Sequence, residues 1–157
     1  ELKAQRTYYK LEQIPFEVDV QGAKGQKLNE KRLRYNRVEL SEGDQVKSGD
    51  IIQVELKVTS DNDYTYLAME DPKPAGFEPI DLRSGGKGQE GFYSYMELRD
   101  EKVVFFMPTI GRGEHLLRYR QRAEVPGLFH ALPSQIFGMY VPELRANSDE
   151  MIIRIVD

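Results

Sequence analysis

The sequence predicts an all-β fold, a β-sandwich built from antiparallel sheets, and three observations support this. Apolar residues recur at every second position in the best-defined segment of the chain. Clusters of turn-forming residues recur roughly every 8–12 residues, as they do in sandwiches. No stretch carries the periodicity of about 3.6 residues expected of a helix of three turns.

The clearest predicted strand covers residues 51–58, with the sequence IIQVELKV. Apolar side chains occupy positions 52, 54, 56 and 58, and Gln53, Glu55 and Lys57 lie between them. This period of two indicates a half-buried strand with one face toward water. Turn-forming clusters at 47–50 (KSGD) and 60–63 (SDND) flank it.

Further strands are predicted from alternation and from β-branched and aromatic residues. They cover 64–69, 77–82, a hairpin of 92–98 with 103–107, 114–123, the segment 128–140 interrupted by Pro133, and 151–156; weaker candidates are 7–11, 16–20 and 35–40. The two prolines within residues 71–76 end the strand before them. Residues 22–32 are polar and are predicted to form a loop. The glycine-rich segment 83–91 is predicted to be the most mobile loop.

The length of 157 residues fits one domain. Residues 45–157 are predicted to form the sandwich. The more polar residues 1–44 are predicted to form either a junction with an upstream domain or the first strands of the sandwich. The chain does not begin with methionine, which suggests a piece of a longer polypeptide. Hydrophobic residues make up 39% and charged residues 31%, an ordinary globular composition. A net charge of -4 argues against nucleic acid as a partner.

No residue pattern predicts catalysis, a cofactor or a metal site. Cysteine is absent, which removes thiol chemistry from this chain. The two histidines, His115 and His130, lie in no recognised catalytic constellation. Residues 60–63 resemble a Ca²⁺ loop only in part, and residues 84–88 lack the order of a phosphate-binding loop. Both segments are predicted to be plain connections, and the chain is predicted not to be an enzyme.

Arg118, Arg120 and Arg122 form a row of positive charge on one face of the strand at 114–123. Two interpretations stay open. The arginines could pair with glutamates across neighbouring strands on a solvated face. Alternatively, they could contact an acidic partner or another domain of the same polypeptide. They are therefore the candidate interdomain contact residues.

Four segments resemble, in order and spacing, the C-terminal domain of bacterial alpha-2-macroglobulins. They are GDIIQVEL at 49–56, YLAMEDPKPAGFEP at 66–79, LRYRQRA followed by PGLF at 117–129, and MYVPELRA at 139–146. The most specific pieces are Asp-Pro-x-Pro-Ala-Gly-x-Glu-Pro and Met-Tyr-x-Pro-Glu. Both are structural fingerprints without a catalytic group.

The resemblance implies a macroglobulin-like, immunoglobulin-like sandwich, similar to the receptor-binding domain of the animal proteins. It implies a non-catalytic part of a broad-range endopeptidase inhibitor that encloses its protease, in the periplasm or cell envelope. Expected partners are other domains of the polypeptide, including a thioester-bearing region, and target proteases through the full-length protein. Any membrane attachment would come from an upstream lipid anchor.

The thioester motif Cys-x-Glu-Gln of that family is not matched here. The nearest sequence is KLEQ at 10–13, where Lys10 stands in place of the cysteine. Any thioester that the parent protein carries would therefore lie upstream, and the receptor-binding lysines of animal members are not carried over. The alternative hypothesis is an adhesion or carbohydrate-binding sandwich of a cell-surface protein.

Overall fold

The computed structural model describes residues 1–21, 27–80, 85–89 and 92–157. Within these ranges the chain forms strands and turns and contains no helix, which confirms the all-β prediction. The strands are β1 (Leu2–Gln21), β2 (Lys27–Glu39), β3 (Gln45–Lys47), β4 (Ile51–Ser60), β5 (Tyr64–Pro72), β6 (Phe77–Pro79), β7 (Gly85–Gln89), β8 (Phe92–Leu98), β9 (Lys102–Ile110), β10 (Gly113–Ala123), β11 (Gly127–Ala131), β12 (Gln135–Gly138), β13 (Arg145–Asn147) and β14 (Met151–Val156). None of the described segments is a helix that could cross a membrane.

The strands are arranged in three sheets. The order is β2-β1-β4-β10-β6 in a five-stranded sheet, β13-β12-β5-β9-β8-β7 in a six-stranded sheet, and β11-β14-β3 in a small third sheet. Pairing is antiparallel except between β14 and β3, which run parallel. The two large sheets pack against each other as a sandwich, and the small sheet adds to one end of their shared core.

Strand β4 shows why this sequence folds in this way. Its residues alternate without a break between half-buried and buried, and Ile52, Val54, Leu56 and Val58 are fully inaccessible to solvent. The predicted register is therefore confirmed. On the facing sheet, β5 and β9 supply Leu67, Met69, Phe105 and Met107 to the same core, a mixture of branched, thioether and aromatic groups.

The predicted hairpin is also confirmed, because β8 pairs antiparallel with β9. The prediction at 128–140 resolves into β11 and β12, separated around Pro133. Of the predicted strand at 77–82, Phe77–Pro79 forms β6, and residues 81–82 lie outside the described residues.

Two loop predictions were wrong in part. Of the predicted loop 22–32, residues 27–32 belong to β2 and pair with β1, and residues 22–26 lie outside the described residues. Of the predicted loop 83–91, Gly85–Gln89 is strand β7, paired with β8, and the remaining residues lie outside the described residues. In both segments backbone pairing with a neighbour overrides a composition that reads as a loop.

Strand β1 extends along both β4 and β2. Its residues Leu2–Leu11 pair with β4, and its residues Tyr9–Gln21 pair with β2. Beyond Leu11 the strands β1 and β2 form a two-stranded ribbon that leaves the rest of the five-stranded sheet.

Candidate functional site

A buried ion pair fastens the first strand to the rest of the sandwich. Arg6 on β1 contacts Asp71 on β5, with 2.7 Å between Nη1 and Oδ1, and both side chains are almost completely buried. The Tyr119 hydroxyl on β10 donates a hydrogen bond to the second oxygen of the same carboxylate. The guanidinium also donates to three backbone carbonyls, those of Ala131, Leu132 and Asp149, at 2.6–3.1 Å. The Arg6 guanidinium thus joins four segments of the chain, and the Asp71 carboxylate adds β10 through Tyr119.

Burial sets the ionisation of this cluster. It raises the pKa of Asp71, while Arg6 and the hydrogen bond from Tyr119 act in the opposite direction. Burial also raises the pKa of Tyr8 and of Tyr119, so both hydroxyls stay protonated. The Tyr8 hydroxyl has no hydrogen-bond partner among the described residues, nor has the side-chain amide of Gln121. The cluster has no free nucleophile and is a structural clamp.

The motif that begins at Asp71 has a packing role throughout. A Cβ atom at Gly76 would lie 2.4 Å from the Phe129 ring, so only glycine fits there. The Gly76 carbonyl accepts hydrogen bonds from the backbone amides of Glu124 and Val125. The next residue, Phe77, is fully buried and meets Phe129 edge to face, with 6.4 Å between ring centroids. The motif therefore joins the five-stranded sheet to the small sheet.

The second motif, Met139–Glu143, forms a tight loop between β12 and β13. The loop is closed by backbone hydrogen bonds from Gly138 to Leu144 (2.8 Å) and from Leu144 to Val141 (3.0 Å). A Cβ atom at Gly138 would lie 2.9 Å from the Val141 carbonyl oxygen, which restricts this position to glycine. Leu144 packs against the core and anchors the loop. The residues between these anchors therefore project from a rigid base.

These projecting residues form an exposed apolar surface together with Tyr66. The exposed fractions are 77% for Tyr140, 54% for Val141, 44% for Met139 and 53% for Tyr66. The Tyr66 and Tyr140 rings meet edge to face with 5.5 Å between centroids. We call these four residues the Tyr140 surface. Large apolar groups are usually exposed singly, so this group of four is the candidate interaction surface of the domain.

The backbone of Tyr66 is strained in support of this surface. Its φ is +54°, and it is the one non-glycine residue with positive φ in the described part of the chain. A left-handed conformation costs a non-glycine residue about 1–2 kcal/mol. The Tyr66 carbonyl accepts a hydrogen bond from the Met139 amide at 2.8 Å, which ties the strained residue to the loop. Strain of this kind persists at sites where position matters more than stability.

The three arginines predicted as a contact lie on β10 and point outward, while Leu117, Tyr119 and Ala123 between and beside them are buried. Arg118 contacts Glu55 of β4 at 2.9 Å, which is the cross-strand pairing expected on a solvated face. Arg122 lies 3.8 Å from Glu124. Arg120 has no carboxylate within 4.0 Å among the described residues. Instead, its guanidinium lies over the Tyr35 ring, 4.9 Å from the centroid.

A fourth arginine joins this row across the sheet. Arg37 on β2 contacts the same Glu55 oxygen at 3.3 Å and stacks over the Tyr9 ring at 4.6 Å. We call the group the arginine face; it consists of Arg37, Arg118, Arg120, Arg122, Tyr9 and Tyr35. The sequence indicated its β10 members, whereas Arg37 and the tyrosines came into view only with the strand pairing.

The histidines are not brought together. His115 contacts the Gly111 carbonyl at 2.7 Å, and His130 lies 3.1 Å from Glu150 at the surface. His130 borders a surface pocket of about 560 Å³ that Lys73 and Glu101 also line. The described residues that line it include no serine, threonine or cysteine. In the described ranges no three His, Cys, Asp or Glu side chains group as metal ligands would.

Comparison with known proteins places the chain among bacterial alpha-2-macroglobulin sequences. A family model described as the bacterial alpha-2-macroglobulin MG10 domain matches residues 16–143. The alpha-2-macroglobulin of Thermotoga maritima is 28% identical over 137 residues, which is 79% of this chain and 9% of that protein. The chain spans less than a tenth of the length of the curated relatives it matches, with shares of 9%, 6% and 8%.

Solved structures of bacterial alpha-2-macroglobulins share this fold. Salmonella alpha-2-macroglobulin reacted with methylamine superposes with a TM-score of 0.65 at 24% identity, over 99% of this chain and 9% of that one. Trypsin-activated alpha-2-macroglobulin from Escherichia coli superposes with a TM-score of 0.61 at 21% identity, over 98% of this chain and 10% of that one. At these identities the superpositions establish the shared fold.

Proposed function

We propose, on the premise that this chain belongs to the bacterial alpha-2-macroglobulin MG10 domain family, that it is a non-catalytic domain of a larger protease trap. The larger protein would be a broad-range endopeptidase inhibitor of the periplasm or cell envelope. This domain would lie at its C-terminal end and would pack against the upstream thioester-bearing region through the Tyr140 surface. Target proteases would meet it only through the full-length protein.

The observation that carries the proposal is the Tyr140 surface. A domain with no other role would gain stability by relaxing Tyr66 and by replacing Tyr140, which is 77% exposed, with a polar residue. Instead, the strained backbone and the closed loop hold the aromatic pair outward in one arrangement. A preorganised aromatic anchor loses little conformational entropy when it enters a pocket on a partner. An apolar cover of this kind would also exclude water from a reactive acyl group.

The treatments applied to two solved relatives are consistent with this role. The Salmonella protein was reacted with methylamine, an amine nucleophile of the kind that opens a thioester. The Escherichia coli protein was activated by trypsin, a protease. We extend both properties to the protein that contains this chain.

We further propose that residues 1–44 are part of the sandwich and not a separate junction. Support comes from Leu2–Leu11, which pair with β4 in the middle of the five-stranded sheet. Arg6 in the same segment forms the buried ion pair with Asp71. A cut after residue 44 would remove that cation and leave a buried carboxylate without its partner.

The test uses the full-length parent protein with the change Tyr140→Ala. Methylamine attacks the thioester carbonyl, the carbon–sulfur bond breaks, and one thiol is released for each amide formed. If the Tyr140 surface covers the thioester, its loss should speed thiol release in the native protein by about tenfold, equivalent to about 1.4 kcal/mol of lost protection. Thiol release is followed by titration with a colorimetric reagent.

Tyr95→Ala is the matched control, because Tyr95 is also an exposed tyrosine, at 46%, but lies on β8 away from the loop. It should release thiol at the parental rate. Equal rates in parent and Tyr140→Ala would contradict the proposed packing. A parent protein that releases no thiol with methylamine would contradict the thioester itself. The alternative of an adhesion or carbohydrate-binding module has no comparable support from the family match.

A further inference from the structure

We infer that the arginine face docks onto a carboxylate-rich surface of a neighbouring domain in the same polypeptide. This rests on the proposed function, in that the chain must be one domain of a longer protein. It concerns a surface different from the Tyr140 surface, which consists of Tyr66 on β5 and three residues of the loop between β12 and β13. The arginine face covers the outward side of the five-stranded sheet, on β1, β2 and β10.

The described residues pair only part of the positive charge on this face with carboxylates. In the described part of the chain its four arginines have two carboxylates within ion-pair distance, Glu55 and Glu124, and Glu55 serves two arginines at once. Glu78 lies opposite Arg122 in the strand register, but its side chain contacts Lys73 at 3.2 Å. Glu39 also lies on this face, opposite Tyr9 in the strand register, but no ion pair among the described residues joins it to an arginine. Arg120 therefore has no carboxylate within 4.0 Å in the described part of the chain.

The aromatic rings hold these cations ready for a partner. Arg37 lies over Tyr9, and Arg120 lies over Tyr35. A guanidinium stacked on a ring keeps its planar edge of N–H donors free, so it can still bind a carboxylate with two parallel hydrogen bonds. Stacking also restricts the long side chain before binding and reduces the entropy lost on docking. Arginine and tyrosine together are the residue types enriched at protein interfaces.

Charge selects the occupant. A polyanion such as nucleic acid would meet the negative field of the whole chain, and Glu55 stands among the arginines. A protein surface with separate carboxylates can instead match individual guanidinium groups and avoid Glu55. Side chains that are 41–48% exposed form weak contacts in isolation. Such contacts suffice within one polypeptide, where the tether supplies an effective concentration of about a millimolar.

The experiment converts Arg120 into a crosslinkable group in the full-length protein. Arg120→Lys keeps the positive charge, and a carbodiimide then joins the lysine amine to any carboxylate in direct contact. We expect a crosslink from position 120 to an aspartate or glutamate outside residues 1–157, identified by mass spectrometry. The yield should fall in about 1 M salt, where the screening length is about 3 Å.

Arg99→Lys is the control, because Arg99 is an arginine exposed to 46% that lies in the β8–β9 turn beside Glu97, outside the arginine face. It should crosslink only within residues 1–157. The inference is overturned if position 120 also crosslinks only within residues 1–157, or not at all. It is equally overturned if mixed isotope-labelled chains show that the link joins two copies of the protein. Its failure is separable from failure of the proposed function, which is measured through Tyr140→Ala and thiol release.

Discussion

Some residues of this domain stabilise its core, and others are exposed on its surface in a fixed arrangement. Arg6 and Tyr119 satisfy the Asp71 carboxylate in the core, where an unpaired charge would cost several kcal/mol. Tyr66 and Tyr140 are exposed, and Tyr66 occupies an unfavourable backbone conformation. The buried cluster stabilises the fold, whereas the exposed tyrosine pair gives no evident gain in stability and is the part to which we assign the proposed role.

Two buried tyrosines give a matched test of the ion-pair cluster. Tyr119→Phe removes a donor to the buried carboxylate and should cost about 1–3 kcal/mol. Tyr8→Phe removes a hydroxyl with no partner among the described residues, so it should change stability by about 0.5 kcal/mol or less, or raise it. Urea midpoints measure both. An equal loss in the two variants would mean that the Tyr8 hydroxyl has a bonded partner.

Among the strands, β4 contributes side chains to both faces of the five-stranded sheet. Its even-numbered residues from Ile52 to Val58 are buried, while Glu55 on the other side ties Arg37 to Arg118. Because side chains alternate in a strand, a shift of one residue in register would bury Glu55 and expose the apolar set. The core thus fixes the register, and the register places the arginine face.

Adjacent substitutions on β4 test this register. Leu56→Asp buries a charge among apolar side chains and should cost several kcal/mol, on the order of the whole stability of a domain. Lys57→Asp removes an exposed contact with Glu114 at 3.8 Å and should cost about 0.5 kcal/mol or slightly more, since it places two acids together. Urea midpoints again provide the measurement. A larger loss for Lys57→Asp would contradict the register.

For the whole molecule, size limits what the domain can do alone. The chain has a mass of 18.2 kDa and spans 9% of the Thermotoga relative. Enclosing a protease needs a chamber larger than the protease, and a compact sandwich has no such space. The domain therefore has its proposed effect as a cover within the larger protein, through the Tyr140 surface and the arginine face.

The isolated domain should accordingly not inhibit proteases. We expect trypsin mixed with excess domain to cleave a small peptide substrate and a large protein substrate at unchanged rates. The full-length parent should abolish cleavage of the large substrate and preserve cleavage of the small one, because an enclosed protease still admits small molecules. Selective loss of large-substrate cleavage with the domain alone would contradict the proposed division of roles.

The strands that could be predicted from the sequence are those with a pattern in their own residues. Alternation of side chains shows strands such as β4 and β10 and assigns their buried faces, because strand geometry repeats every two residues. The outward direction of Arg118, Arg120 and Arg122 follows from the same rule. The motifs at 71–79 and 139–143 showed the family without showing what each residue contacts.

Contacts between segments that are distant in the sequence became known only from the three-dimensional structure. The partners of Arg6 lie 65 to 143 residues away along the chain, and Arg37 meets Arg118 only because β2, β1, β4 and β10 stand in that order. In strand β7 and at the start of β2, apolar and polar residues do not alternate. These segments lie at a sheet edge or in the β1–β2 ribbon, and backbone pairing with the neighbouring strand holds them in the extended conformation. The positive φ of Tyr66 likewise has no local signal, since the loop that holds it begins more than seventy residues later, at Met139.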